Sequence, residues 1–316
     1  MQRINWIDSA KGIGILGIIY THLISWDKPY PVEYEWIEVY SLLSVICIPL
    51  LLFTAGFLVN LESFNLKISR KIFEKFQFLI IPFLLLFWTK FDFELLYLLF
   101  FCYILFYAIK GILKFKFIKY FVLLITILAA IFSPYIQIKL IEDFVFFFMY
   151  FYLGYLTFGI KSRIENKIKF LSFRNYIIII CIIIGLIIAI VLLVKFKQDI
   201  PHFSMLRGFS LVEAIVGILI IVIFSILVQK IKFIQWTLSW IGNLSIFIYI
   251  VHPFLIKLGE NVLYYWLNIS DFNIIAPIEY FLGICGSVII AIIFRKLQKC
   301  FPKFRNLVRF IFAKEV

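Results

Sequence analysis

The chain alternates long apolar runs with short connections that collect its charges. Ten runs approach or reach the length that spans about 30 Å of hydrocarbon, at 6–25, 37–59, 76–90, 94–109, 117–133, 142–160, 175–194, 209–229, 236–256 and 275–294. The third and fourth are short, and only Lys90, Asp92 and Glu94 with their intervening Phe residues part them. In lipid every backbone polar group must be satisfied internally, so runs of this length predict helices. The expected fold is all-α and integral to the membrane, with about ten transmembrane helices in one domain over 1–294 and a basic cytoplasmic tail over 295–316.

The first run breaks the apolar pattern in an ordered way. Asp8, Lys11 and His22 stand in it together with Gly12, Gly14 and Gly17. Eleven residues at about 100° each bring Lys11 and His22 to the same side of a helix, about 16 Å apart along its axis, and Asp8 falls about 40° off that line. Asp8 and Lys11 are spaced to pair across one turn. Ionisable groups on one stripe, beside glycines that let neighbouring helices approach, predict an internal polar passage rather than a lipid-facing anchor. The run has no small-residue cleavage signal and carries charges, so it reads as a retained helix rather than a signal peptide.

Composition supports the bilayer as solvent. Hydrophobic residues make up 64% of the chain and charged ones 16%, and the mean hydropathy is +1.05, which excludes an ordinary soluble globule. Lys and Arg divide unevenly between alternate connections: 23 fall in the N-terminus, 60–75, 110–119, 161–174, 230–232 and 295–316, and 7 in the other set. That asymmetry places both termini in the cytoplasm, with the basic loop at 195–208 as the exception. The net charge of +13 is then met by an anionic inner leaflet, and nucleic acid is not an expected partner. Cys47, Cys102, Cys181, Cys285 and Cys300 show no CxxC and no metal spacing; they read as buried free thiols, and no metal is expected. The first external loop, from Trp26 and Asp27 to Glu38, is acidic and aromatic. It suits a sugar, through carboxylates that accept hydroxyl protons and rings that cover a pyranose face, and equally suits an interfacial aromatic belt.

Several ordered motifs carry a family resemblance. Asp8-x-x-Lys11-Gly12 followed by His22, Ile48-Pro49 leading into Ala55-Gly56-Phe57-Leu58, and Lys71-x-x-x-Lys75 before Leu79-Ile80-Ile81-Pro82-Phe83 open the series. Phe151-Tyr152-Leu153-Gly154-Tyr155-Leu156 and the stretch from Ser239 through Gly242-Asn243-Leu244-Ser245 to His252-Pro253-Phe254 complete it. In that order they resemble the acyltransferase-3 family of integral membrane acyltransferases. The first motif has Lys11 where many members have Arg, as in the branch similar to sugar O-acetyltransferases. The second motif is poorer in Met and aromatics than is usual, and the common Trp-Phe-Leu is absent from Leu95–Leu99.

The resemblance implies a bacterial inner-membrane enzyme that moves an acyl group, most often acetyl from acetyl-CoA, to a hydroxyl of a surface glycan such as lipopolysaccharide or exopolysaccharide, or its lipid-linked precursor. Such a transfer needs a base for the hydroxyl proton and a group that steadies the oxyanion. His22 is the residue of the first helix that cycles a proton near neutrality, and is expected as general base, with an acyl-imidazole relay as the lesser role. For Lys11 the resemblance implies donor or transition-state contacts, beside the alternative of a structural ion pair with Asp8. Arg70, Lys71 and Lys75 are expected to hold the phosphates of the donor, a pattern that a positive-inside loop also produces. His252, Glu213 and Asp27 are candidates for acceptor binding, with Glu142, Asp143 and Glu279 ranked after His22, and Asn243 and Ser245 read as helix contacts. Pro253 opens the helix hydrogen-bond ladder where such breaks line cavities. The rival class is a polytopic transporter or flippase for a glycolipid, which predicts internal repetition and paired broken helices; no clear repeat is seen.

Overall fold

A computed structural model describes residues 4–25, 32, 34–59, 68–86, 94–160, 184–186 and 203–300. Among the described residues the chain is helical apart from short connections and contains no strand. The helices are α1 (Asn5–Ser25), α2 (Tyr34–Leu58), α3 (Ile68–Lys75), α4 (Ile81–Leu86), α5 (Glu94–Ile109), α6 (Lys116–Phe132) and α7 (Lys139–Thr157). They continue as α8 (Phe203–Val228), α9 (Lys232–Asn243), α10 (Ser245–Glu260), α11 (Phe272–Phe281) and α12 (Ser287–Cys300). Three π-helical stretches extend or join them: Phe76–Ile80 between α3 and α4, Asn261–Trp266 after α10, and Leu282–Gly286 between α11 and α12.

Seven of the described helices are long and apolar enough to cross a membrane, and Glu94–Ile109 is a shorter apolar one. The protein is thus a multi-pass membrane protein. The side chains of α6 show what its surroundings are: Phe117, Phe121, Leu124, Ile125 and Leu128 repeat at helical spacing and all stand exposed. A stripe of that width suits a hydrocarbon surrounding. The predicted run at 236–256 is not one helix. Leu244 takes φ −95° and ψ 2°, outside helical geometry, and divides it into α9 and α10. The run at 175–194 lies outside the described residues except for 184–186.

Helices in lipid gain little from hydrophobicity and associate where backbones can come close. Glycine makes this possible at two crossings. A Cβ on Gly12 would sit 2.2 Å from the Leu238 carbonyl oxygen, and one on Gly242 would sit 1.8 Å from that of Asp8. This locks α1 across α9. Likewise a Cβ on Gly56 would meet Phe151 O at 1.8 Å and one on Gly154 would meet Phe53 O at 2.0 Å, which locks α2 against α7. The aromatic residues fill the remaining space, as where Phe106 and Phe151 pack edge to face with Tyr155 and Tyr103 between α5 and α7. Cys47 and Cys102 are buried thiols as expected, whereas Cys285 and Cys300 are exposed.

Candidate active site

α1 and α10 run side by side in the same direction and bring two histidines together. His22 Nδ1 and His252 Nε2 are 2.8 Å apart, with the rings stacked at 5.0 Å and 16°. His252 is fully buried and His22 partly so. The second nitrogen of His252, Nδ1, lies 2.9 Å from the carbonyl oxygen of Ile248. A carbonyl only accepts, so His252 Nδ1 carries a hydrogen. With both rings neutral, His252 Nε2 then accepts from His22 Nδ1, and the lone pair of His22 resides on Nε2. Pro253 has no amide hydrogen, so the helix makes no bond to the Tyr249 carbonyl there.

Toward the N-terminal end of α1 the site is cationic. Lys11 Nζ pairs with Asp8 Oδ1 at 3.3 Å, the one-turn pair its spacing predicts. Ser9 Oγ is 3.0 Å from Ser239 Oγ, which donates to the Asn5 carbonyl at 3.1 Å, so the Ser239 motif ties α9 to this part of α1. A cavity of about 110 Å³ opens beside the ion pair. Lys11, Thr54, Lys75, Leu95, Tyr103, Ser245 and Tyr249 are among its walls. The π-helical stretch after Lys75 contributes Phe78 and Leu79 to the same wall.

The basic cluster at 70–75 is split by its own helix. Lys75 enters the cavity with its ammonium 4.0 Å from the centre of the Tyr103 ring, and Lys71 is 5% exposed. Arg70 points outward and pairs with Glu74 at 3.4 Å. The structure therefore joins Lys75 with Lys11 and keeps Arg70 apart from them.

The remaining candidates fall elsewhere. Glu213 is buried on α8, where Tyr150 lies within electrostatic reach of it and of Arg207. Arg207 Nη2 bonds Glu142 Oε1 at 2.5 Å, lies 3.7 Å from Asp143 Oδ1, and sets its guanidinium 4.7 Å from the Phe146 ring centre. Glu279 is buried where its Cγ faces Gly259, and Glu260 pairs with Lys257. Asn243 donates to Ser239 O within its own helix, and Ser245 lines the cavity. Asp27 and the loop around it lie outside the described residues. Among the described residues, no group of three His, Cys, Asp or Glu side chains is arranged to hold a metal ion.

Two aromatic residues of the cavity wall were given no role in the sequence reading. Tyr249 lines the cavity and approaches both histidine rings, at 6.2 Å from His22 and 5.9 Å from His252. Tyr103 lies under Lys75. A signal for the first existed: Tyr249 precedes His252 by three residues, which puts both on one helix face. For Tyr103 there was none.

No curated protein and no solved structure matches the chain. The profile of the acyltransferase-3 family, described as an acyltransferase domain, matches residues 95–296. That span runs from α5 through α11 into α12 and includes both Tyr249 and His252. Covering well over half of the sequence, it shows that this chain belongs to the acyltransferase-3 family and is a membrane acyltransferase.

Proposed function

We propose that the protein is an O-acetyltransferase that takes acetyl from acetyl-CoA and passes it to a hydroxyl of a surface glycan or its lipid-linked precursor, with His22 as general base. The observation that carries this reading is the hydrogen-bonded run from His22 through His252 to the Ile248 carbonyl, on two helices, α1 and α10, that also wall a cavity holding two lysines. The run presents the lone pair of His22 on Nε2 and holds the ring in that tautomer, as a base requires. Lys11 and Lys75 give the cavity positive charge, and the first turns of α5 and α10 add partial positive charge at Leu95 and Ser245. Its volume suits the acyl end of a thioester; the phosphates stay nearer the start of α3, where Lys71 lies. Asp8 holds Lys11 in place at membrane depth.

In this reading ten helices cross the inner membrane of a bacterium with both termini in the cytoplasm, so the cavity opens toward the donor side and His22 faces the acceptor side. His252 acts by orienting His22 instead of binding the acceptor.

The test is direct. Purified protein is incubated with isotope-labelled acetyl-CoA and a glycan extract, and the label is located by mass spectrometry. His22→Ala is expected to remain folded and inserted while transfer falls by about 10³-fold or more, the scale on which a positioned base contributes. Near-normal transfer in that variant would remove His22 from the reaction.

A further inference from the structure

We propose that Tyr103 is a positioning residue of the donor site: the face of its ring holds the ammonium of Lys75 inside the cavity and so sets how strongly the chain binds an anionic acyl-CoA. The inference rests on the acyl-transfer reading above, which makes Lys75 part of the donor site. Lys75 Nζ lies 4.0 Å from the centre of the Tyr103 ring, a close approach for a cation on a π face. Lys110 Nζ, 5.7 Å from the Phe106 centre, and Lys119 Nζ, 5.8 Å from that of Tyr155, stand at the limit of such attraction. Lys75 and Tyr103 both wall the cavity.

The ring is itself held. Tyr103 is buried on α5, with the Phe151 ring edge-on to it at 5.2 Å and the Tyr107 ring stacked at 6.1 Å, one turn farther along the helix. Leu96 and Leu99 share its helix face and wall the cavity with it. Packing therefore decides where the electron-rich face of the ring is presented. Lys75 gains an inward partner from it. The lysine is about 10 Å of helix from Ile68, where α3 begins, and at that depth a flexible stem ordinarily carries its ammonium back toward the headgroups. The ring offers attraction on the cavity side instead.

A ring also suits this task better than an acid. What Lys75 lends the donor is charge, whose effect in a cavity of low dielectric depends on how near the ammonium stays. A carboxylate would fix the ammonium and cancel that charge. An aromatic face carries no net charge, so it holds the cation without neutralising it.

The test is CoA binding by the purified full chain in detergent, read by titration calorimetry, beside acetyl transfer by the same preparation. Tyr103→Leu removes the π face and is expected to weaken CoA binding by about tenfold, the scale of a cation over a partly desolvated ring. Tyr103→Phe keeps the face and is expected to bind within about threefold of the parent. A Leu variant that binds as tightly as the parent, or a Phe variant as weak as the Leu one, overturns the proposal. Because leucine also loosens the contacts with Phe151 and Tyr107, 4-fluoro-, 3,5-difluoro- and 3,4,5-trifluorophenylalanine at 103 supply a second reading. They keep the shape of the ring and draw charge from its face step by step. The logarithm of the CoA dissociation constant is expected to rise with each fluorine, and a flat series overturns the proposal. The two assays also separate this idea from the reaction it serves. The graded loss of CoA affinity in a protein that transfers no acetyl supports the hold on Lys75 and defeats the acetyltransferase reading. Transfer beside a flat fluorine series defeats only the role of Tyr103, and a parent protein that binds no CoA defeats both.

Discussion

Two polar clusters sit inside this apolar bundle, and they are built on opposite principles. Between α7 and α8, Arg207 is enclosed by Glu142 and Asp143 and laid on Phe146, so its charge is answered on every side the contacts define. Between α1 and α10 the join is made by two imidazoles, which need carry no charge at all, and a cavity adjoins the helices that bear them. The first arrangement is a lock: moving any member exposes a charge to low dielectric. The second costs little to build and still has a proton to exchange.

If that contrast is right, three substitutions should separate stability from turnover. The largest stability effect belongs to Arg207→Met, expected to cost about 2–3 kcal/mol, somewhat below a fully buried pair because the guanidinium keeps some solvent contact. Thermal unfolding in detergent measures it, and turnover per folded molecule should be unchanged; lost turnover at full stability would make the lock part of the reaction. Next is His252→Phe, which keeps an aromatic ring in the stack but removes the acceptor for His22. Turnover should drop by about 10- to 100-fold, the usual effect of losing an orienting partner, worth about 1.4–2.7 kcal/mol in the barrier. The unfolding temperature should barely move, and equal loss in both measurements would make the pair structural. The smallest effect belongs to Arg70→Gln. Its exposed pair with Glu74 should be worth less than about 0.5 kcal/mol, and the Michaelis constant for acetyl-CoA should rise by no more than about threefold, because Lys75 and not Arg70 enters the cavity. A tenfold rise would restore Arg70 to the donor site.

How far the sequence could be read depended on the range of each interaction. The one-turn pair of Asp8 and Lys11, the alignment of Lys11 with His22, and the close approaches at Gly12 and Gly242 follow from helical periodicity, which is local. The basic loop at 195–208 looked wrong for an outer connection; part of the answer, that Arg207 belongs to α8 and meets acids of α7, lies across 65 residues of chain and no periodicity reports it. The contact of His22 with His252 spans 230 residues. Both were visible as candidates, yet only packing makes them partners. The splitting of the 70–75 cluster escaped for a different reason. Lys71 and Lys75 do share a face, but which face turns inward is decided by neighbouring helices, and the π-helical stretch that follows shifts the phase of the wall. The break at Leu244 was hidden because Gly242, two residues before it, is equally the glycine of a close helix crossing.

The relay that begins at His22 ends on main chain, at the Ile248 oxygen, where many enzymes end theirs on an aspartate. A peptide carbonyl cannot be titrated and cannot be deleted by exchanging one side chain. Acid therefore has no carboxylate to disarm at the far end of this relay, and an alanine scan of α10 would pass over the atom that sets which way the protons point.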